Sequence, residues 1–195
     1  MAAKKRIDRR VQRTRSLIQG ALLELMAERG YEGLTVQHII DRANVGRATF
    51  YAHFADKQTL LASGLEDLRS ALLERQRAAI AARRGHADFT FSLAMLEHAA
   101  DAVPLWRAIA GRESGAFVMQ RLHDMLAELV RNDLLAMGVR RSAQQRELLV
   151  QQITGGFVAA MTWWLNDGAR QTANEVDALF RVQANRGLKG ARESR

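Results

Sequence analysis

From Leu17 to Phe180, apolar residues return every three or four positions, the spacing that lays a stripe along one face of an α-helix. Leu17, Ile18, Ala21, Leu22, Leu25 and Met26 form one such set, and Leu61, Leu65, Leu68 and Leu72 form another. Pro104 is the single proline in 195 residues, so nothing in the backbone forces these stripes into short pieces. With 48% hydrophobic and 26% charged residues, the chain can bury a core, which excludes a largely disordered protein. An all-α protein is expected. The absence of cysteine removes disulfides, thiolate catalysis and every zinc or iron–sulfur site that needs sulfur, and suits a reducing cytoplasm.

The net charge of +8 is unevenly placed. Residues 1–15 hold seven Lys and Arg against Asp8, a balance of +6, and residues 181–195 add +4, while everything between comes to −2. The basic start is not followed by an apolar stretch, since Val11-Gln12-Arg13-Thr14-Arg15 comes next, so no secretion signal is read. Unbroken apolar runs such as Phe157 to Met161 reach five residues, against the roughly 18 that cross a bilayer. A soluble, cytoplasmic protein with no membrane partner is expected. Basic ends suit nucleic acid but are equally common as solvated tails, so a motif must decide.

The first helix should stop at Arg29-Gly30, where a basic last turn meets a residue free to turn left-handed. Thr35 caps a short second helix carrying Val36, Ile39 and Ile40, which ends near Asn44, a residue that tolerates positive φ. A third short helix runs from Arg47 to Phe54 with Gly46 at its N-cap, and Asp56 caps the fourth. No breaker then appears before Gly85, so the fourth helix spans about 40 Å at 1.5 Å per residue, enough to join two domains. Further helices are predicted over about 88–100, 104–110, 116–137, 143–167 and 173–186. Ser142 with Gln145, and Thr172 with Glu175, have capping-box spacing at the last two starts.

Two short helices joined by a tight turn and held against a first helix make a helix-turn-helix, whose second helix enters the DNA major groove. Over residues 35–54, Ile39, Ile40, Ala43, Val45, Phe50 and Phe54 can form the inner face. Arg47, Thr49, Tyr51 and His53 then face outward. Arg47 can donate two hydrogen bonds to guanine, Thr49 can touch a thymine methyl or a phosphate, and Tyr51 and His53 can donate to phosphate oxygens. Lys57 adds positive charge at a helix N-terminus that itself favours phosphate.

The run Gly30-Tyr31 to Thr35, then Ala43-Asn44-Val45-Gly46-Arg47-Ala48-Thr49-Phe50-Tyr51-Ala52-His53-Phe54 and Lys57, resembles the amino-terminal signature of the TetR family of one-component transcriptional regulators. The resemblance implies a three-helix helix-turn-helix DNA-binding domain, placed here at residues 1–60, followed by a helical ligand-binding and dimerisation domain at 61–195. It implies a homodimer on double-stranded DNA bearing a palindromic operator, with an unknown small-molecule effector. By position it implies DNA contacts at Thr35, Gly46, Arg47, Thr49, Tyr51, His53 and Lys57, mostly to the backbone. Two positions depart from the pattern: Asn44 stands where glycine is common, and Gly46 stands where a serine or threonine hydroxyl often meets phosphate, so that side-chain contact is lost.

The resemblance weakens after about residue 80. The helix over 143–167 carries Leu148, Leu149, Ile153, Phe157, Val158, Met161, Trp164 and Leu165, an apolar surface too wide for one buried stripe. Gly155-Gly156 and Ala159-Ala160 would let a neighbouring helix approach closely, and with the helix over 173–186 they could form half of a four-helix dimer interface. For an effector, Met95, Trp106, Phe117, Met119, Trp163 and Trp164 offer adaptable or aromatic walls, and His98, Gln120 and His123 offer polar anchors. His98 beside Glu97 and His123 beside Asp124 lack the spacing of a metal site, so no metal is expected. No Gly-x-Ser-x-Gly, dinucleotide-binding or phosphate-binding glycine motif occurs, so neither an enzyme nor a cofactor is expected. The expected function is a repressor released from its operator by a ligand, and the alternative is a helical dimeric adaptor that binds protein rather than DNA.

Overall fold

The computed structural model describes residues 2–82, 89–139 and 141–190, with side chains from residue 9 through 188 of those ranges. Among the described residues there are nine helices and no strand: α1 (Ala2–Arg29), α2 (Val36–Ala43), α3 (Arg47–His53), α4 (Lys57–Ala82), α5 (Phe91–Asp101), α6 (Val103–Ile109), α7 (Glu113–Ala136), α8 (Ala143–Asn166) and α9 (Ala173–Gly190). Arg83, Arg84 and Gly85, where the sequence puts the end of the fourth helix, lie outside the described residues. The largest departure from a predicted extent is at α1. Residues 2–15, which precede the apolar stripe that marked the first helix in the sequence, continue α1 as helix, because no proline or glycine interrupts them and Lys, Arg, Gln and Ala are good helix formers.

Local chemistry closes the helix ends. Thr35 Oγ1 accepts from the His38 N–H while the Thr35 N–H donates to His38 Nδ1, both at 3.3 Å, a capping box with histidine in the place usually taken by Glu or Gln. Asp56 Oδ1 accepts from the Thr59 N–H at 2.7 Å. Ser142 and Gln145 exchange bonds of 3.2 Å, and Thr172 with Glu175 closes the start of α9 in the same manner. Asn44 ends α2 at φ 50°, ψ 50°, the left-handed turn that aims α3 away from α2.

The chain divides into two compact units. The first comprises the chain through Asp67 together with Pro104–Phe117, and the second comprises Leu68–Val103 with the chain from Val118 onward. In the first unit Ile18, Leu22 and Met26 of α1 lie against Ile39 of α2, Phe50 of α3 and Phe54 in a fully buried core. Each such side chain contributes about 1.5–3 kcal/mol by leaving water. In the second unit Phe89, Phe91, Phe157 and Phe180 meet edge to face at centroid distances of 4.8–6.3 Å, tying α5, α8 and α9 together. Several buried polar groups there find partners. Trp164 Nε1 donates to the Gln171 carbonyl at 2.9 Å, and Gln76 Nε2 donates to the Leu129 carbonyl at 2.7 Å and to Asp133 Oδ1 at 2.8 Å. Ser92 Oγ bonds the Phe89 carbonyl and Asp177, whose other oxygen holds Arg181 Nε at 2.9 Å.

Helix α8 is apolar on both sides. Val150, Ile153, Phe157, Met161, Trp164 and Leu165 are buried, yet Leu148 remains 59% and Trp163 55% exposed, and α9 adds Leu179 at 67%. Between α8 and α9 runs a groove of about 480 Å³ lined by Ile153, Gly156, Ala160, Trp163, Leu179, Phe180 and Gly187, among others. By length and composition α8 is the one helix among the described residues that reaches the apolarity of a membrane span, with a mean hydropathy of 1.2 over its best 18-residue window. Its buried side packs on α5 and α9.

Candidate nucleic-acid interface

Helix α3 follows the left-handed turn at Asn44 and the extended Gly46, and its seven residues separate into two faces. Phe50 is fully buried and Phe54, just past the last turn, is 2% exposed, so the inner side is fixed to the core. Arg47, Thr49 and Tyr51 are exposed on the outer side, and His53 is half-buried with its ring tilted against Phe54 at 6.2 Å. The Arg47 guanidinium lies 5.6 Å from the Tyr51 ring centroid, a cation–π contact that holds both side chains over the outer face. Tyr51 in turn meets Phe50 edge to face at 5.4 Å, which limits its ring rotation. Arg, Thr and Tyr are thus presented together on a short, anchored helix.

At Gly46 an added Cβ would meet only Thr49 Oγ1, at 3.7 Å, and φ is −72°, so a serine or threonine would fit there. Thr35 is exposed, and its oxygen already accepts from the His38 N–H, which leaves its hydroxyl hydrogen to donate elsewhere.

Lys57 stands at the start of α4, as expected, with its ammonium engaged within the chain. Its ammonium donates to the carbonyls of Tyr31 (3.1 Å), Glu32 (3.2 Å) and Leu34 (2.8 Å), and lies 4.4 Å from the Tyr31 ring centroid. Three donors meet three acceptors, so a phosphate would have to displace one of them. In this structure Lys57 clamps the turn that leads from α1 into α2.

Other fastenings of the first unit were not read from sequence. Arg42 on α2 reaches back to α1, donating to Glu24 at 3.1 Å and to both oxygens of Glu28 at 2.8 and 2.9 Å, and the Glu28 pKa is lowered by that hydrogen bond. The pair Glu24 and Glu28, one turn apart on α1, was the only signal available for it. Glu32 accepts from the Ser114 N–H at 3.1 Å, with Arg112 at 3.7 Å. The Ser114 bond, aided by Arg112, holds the Glu32 carboxyl below its usual 4.5, at about 2. That bond joins residues 82 positions apart, so local pattern could not announce it.

This geometry has known counterparts. A sequence profile described as bacterial regulatory proteins, tetR family, matches residues 18–63, and a second, described as transcriptional regulator C-terminal region, matches residues 89–185. The chain belongs to the TetR family of transcriptional regulators. The uncharacterized HTH-type transcriptional regulator YxbF of Bacillus subtilis (strain 168) is 50% identical over 58 residues, a stretch that is 29% of this chain and only 15% of that protein's length. A TetR transcriptional regulator from Streptococcus agalactiae 2603V shares 25% identity across 94% of this chain and 99% of its own, with a TM-score of 0.64. The Thermus thermophilus repressor FadR, solved with lauroyl-CoA, shares the fold at 20% identity, covering 89% of this chain and 94% of its own, with a TM-score of 0.58. For a TetR-family chain the adaptor alternative is not favoured.

The residues named for an effector in this TetR-family protein are shared between the two units. Trp106, half-buried on α6, and Phe117, exposed on α7, belong to the first unit. The rest belong to the second. Met95 and Trp164 are packed into its core at 2% and 1% exposure. Met119 and His123 are half-buried on α7, His98 is exposed on α5, and Gln120 is exposed and donates to Asp124 Oδ1 at 3.0 Å. Of the nine, Trp163 alone lines the groove between α8 and α9.

Proposed function

We propose that the protein is a cytoplasmic homodimeric repressor that reads a palindromic operator with α3 and leaves it when a small, largely apolar molecule binds the second unit. The observation that carries the reading is the outer face of α3, where Arg47, Thr49 and Tyr51 stand exposed on a helix whose other side is buried through Phe50 and Phe54. In this reading Arg47 contacts a base edge, and Thr35, the Gly46 backbone, Thr49, Tyr51 and His53 hold phosphates. Lys57 supports the site by keeping the turn before α2 in place. We take residues 1–60 as the DNA-binding domain and 61–195 as the domain that dimerises and binds the effector.

Two copies joined through α8 and α9 supply two α3 helices, and a palindrome with half-sites about 34–36 Å apart, or a multiple of it, matches that symmetry. The exposed Leu148, Trp163, Leu179 and Val182 support this pairing. For the effector, His98, Met119, Gln120, His123 and Trp163 are the side chains of the second unit reachable without repacking the core, whereas Met95 and Trp164 would have to move.

The test is binding to the DNA upstream of the protein's own coding sequence, against a scrambled duplex of equal length. Specific retardation is expected, and Arg47→Ala should relax base preference by about 1–3 kcal/mol. Equal loss on both duplexes would reassign Arg47 to phosphate, and no preference in the unmodified protein would remove the reading. An effector that weakens operator binding must itself bind the operator complex less tightly, by a coupling of about 1–3 kcal/mol. Identical ligand affinity with and without operator would overturn the effector part alone.

A further inference from the structure

We infer that the amino-terminal part of α1, residues 2–13, is a second DNA contact, a basic helical arm that engages phosphates flanking the half-site read by α3. The inference rests on the DNA-reading role of α3 proposed above and extends it to a surface outside the helix-turn-helix.

The described side chains of the arm, from residue 9 onward, take no part in the buried core of the unit. The buried stripe of α1 begins at Ile18 and continues through Ala21, Leu22, Leu25 and Met26, whereas positions 9–13 are all exposed. A helix normally persists because one face is buried, and free-standing helices shorter than about 12–15 residues are marginal in water. Residues 9–13 of α1 therefore stand outside its buried stripe.

The charge of this segment is organised. In sequence Arg6, Arg9, Arg10 and Arg13 recur at i, i+3, i+4 and i+7, the spacing of a single helix face, with Lys4 and Lys5 adjacent and Asp8 the only acid before Arg15. Arg9, Arg10 and Arg13 are exposed and, among the described residues, have no ion-pair partner. Like charges at these spacings oppose the helix that carries them. An external polyanion relieves that repulsion.

The position of the arm selects DNA as the polyanion. Arg15, where the arm meets the domain, places its guanidinium 4.8 Å from the centroid of the Phe54 ring, and Phe54 closes α3. The basic face thus begins beside the end of the reading helix. Twelve residues extend about 18 Å, and duplex DNA presents one phosphate charge per about 1.7 Å of axis. Several phosphates beyond the half-site lie within that reach.

The test uses the full chain and a duplex that it selects from a random-sequence pool, prepared in two lengths: the palindrome alone, and the palindrome with about one helical turn of flanking DNA on each side. The compared variants are the triple substitution Arg9→Gln, Arg10→Gln, Arg13→Gln, which keeps good helix formers, and the corresponding triple lysine, which keeps the charge. On the flanked duplex the glutamine triple should bind at least tenfold more weakly near 0.1 M salt. Its salt slope should flatten by up to about 5, since each of six phosphate contacts in a dimer is worth about 0.9. On the short duplex the loss should be small, the lysine triple should restore the slope, and preference for the selected sequence over random DNA should not change. An unchanged slope and affinity on the flanked duplex, with wild-type selectivity intact, would overturn the arm and leave the α3 reading standing. Failure of the unmodified chain to select any sequence would overturn the α3 reading and the arm with it. Acquired binding of the wild-type arm to anionic lipid vesicles, with no effect of the triple on DNA, would assign the basic face to a membrane surface instead.

Discussion

Replacing Gly156 by leucine should make each protomer more stable and the dimer weaker, two effects of opposite sign from one substitution. Gly156 lies within α8, is exposed, and a Cβ built on it meets nothing within 4 Å of its own chain. Leucine is therefore accommodated in the protomer, and exchanging glycine for a strong helix former in a helix interior gains about 0.8–1 kcal/mol. The same position lines the α8–α9 groove, beside Trp163 and Leu179. If a second copy packs its α8 and α9 there, the added side chain overfills the interface. Overpacking costs about 1–3 kcal/mol at each site, and twofold symmetry counts it twice, so the dimer should lose about 2–6 kcal/mol. At 1.4 kcal/mol per decade, its Kd should rise by roughly 30-fold to 10⁴-fold. Sedimentation velocity from sub-micromolar to tens of micromolar protein reads the association, and circular dichroism melts of diluted, monomeric samples read the protomer. A Gly156→Leu protein that dimerises like the parent, or a parent that is monomeric at tens of micromolar, would refute the interface. A variant that loses both helicity and association would refute the premise that the groove is empty within one chain.

Lys57→Ala should remove the clamp on three carbonyls and lower stability by about 1–3 kcal/mol, seen as a fall of several degrees in the melting midpoint, while the salt slope of DNA binding stays as it was; a flatter slope with an unchanged midpoint would return Lys57 to phosphate binding. Because the Glu32 carboxyl titrates at about 2 in the folded chain against 4.5 ordinarily, its contribution is present above pH 4.5 and is lost as pH falls toward 2. Melting midpoints measured between pH 2 and 6 should therefore fall less steeply for Glu32→Gln than for the parent, and parallel curves would show that the Ser114 bond carries no such linkage. Thr154 is fully buried with its hydroxyl unpartnered, so the isosteric Thr154→Val should stabilise the second unit by about 1–3 kcal/mol; a lower melting midpoint would mean that the hydroxyl has a partner in solution.

Much of the helical plan was legible because it depends on interactions that close within a few residues. Thr35, Asp56, Ser142 and Thr172 bond backbone groups three positions away, so a cap is visible in four letters of sequence. Asn44 takes a left-handed conformation that few other residues adopt without strain, and it marked the turn of the helix-turn-helix before any tertiary contact was known. The inner face of α3 was readable for a similar reason, since Phe50 and Phe54 sit one turn apart and share the burial that Arg47, Thr49 and Tyr51 do not. The breadth of the apolar surface on α8 was visible as well, but a list of hydrophobic residues cannot say which side its own chain covers. Tertiary packing decided that Met161 and Trp164 go inside and that Leu148 and Trp163 stay out.

The electrostatic partners were the least legible part. Lys57 sits at a helix start where a free ammonium would suit phosphate, yet the chain folds the carbonyls of residues 31, 32 and 34 onto it across more than twenty positions. Glu32 finds the N-terminal turn of α7 across 82 positions. A charged side chain several bonds long reaches whatever the fold brings within about 3 Å, and hydrogen-bond strength falls steeply beyond that range. Which helices form, and where each begins, therefore followed from neighbours along the chain. Which carbonyls the Lys57 ammonium meets in this structure was decided only by neighbours in space.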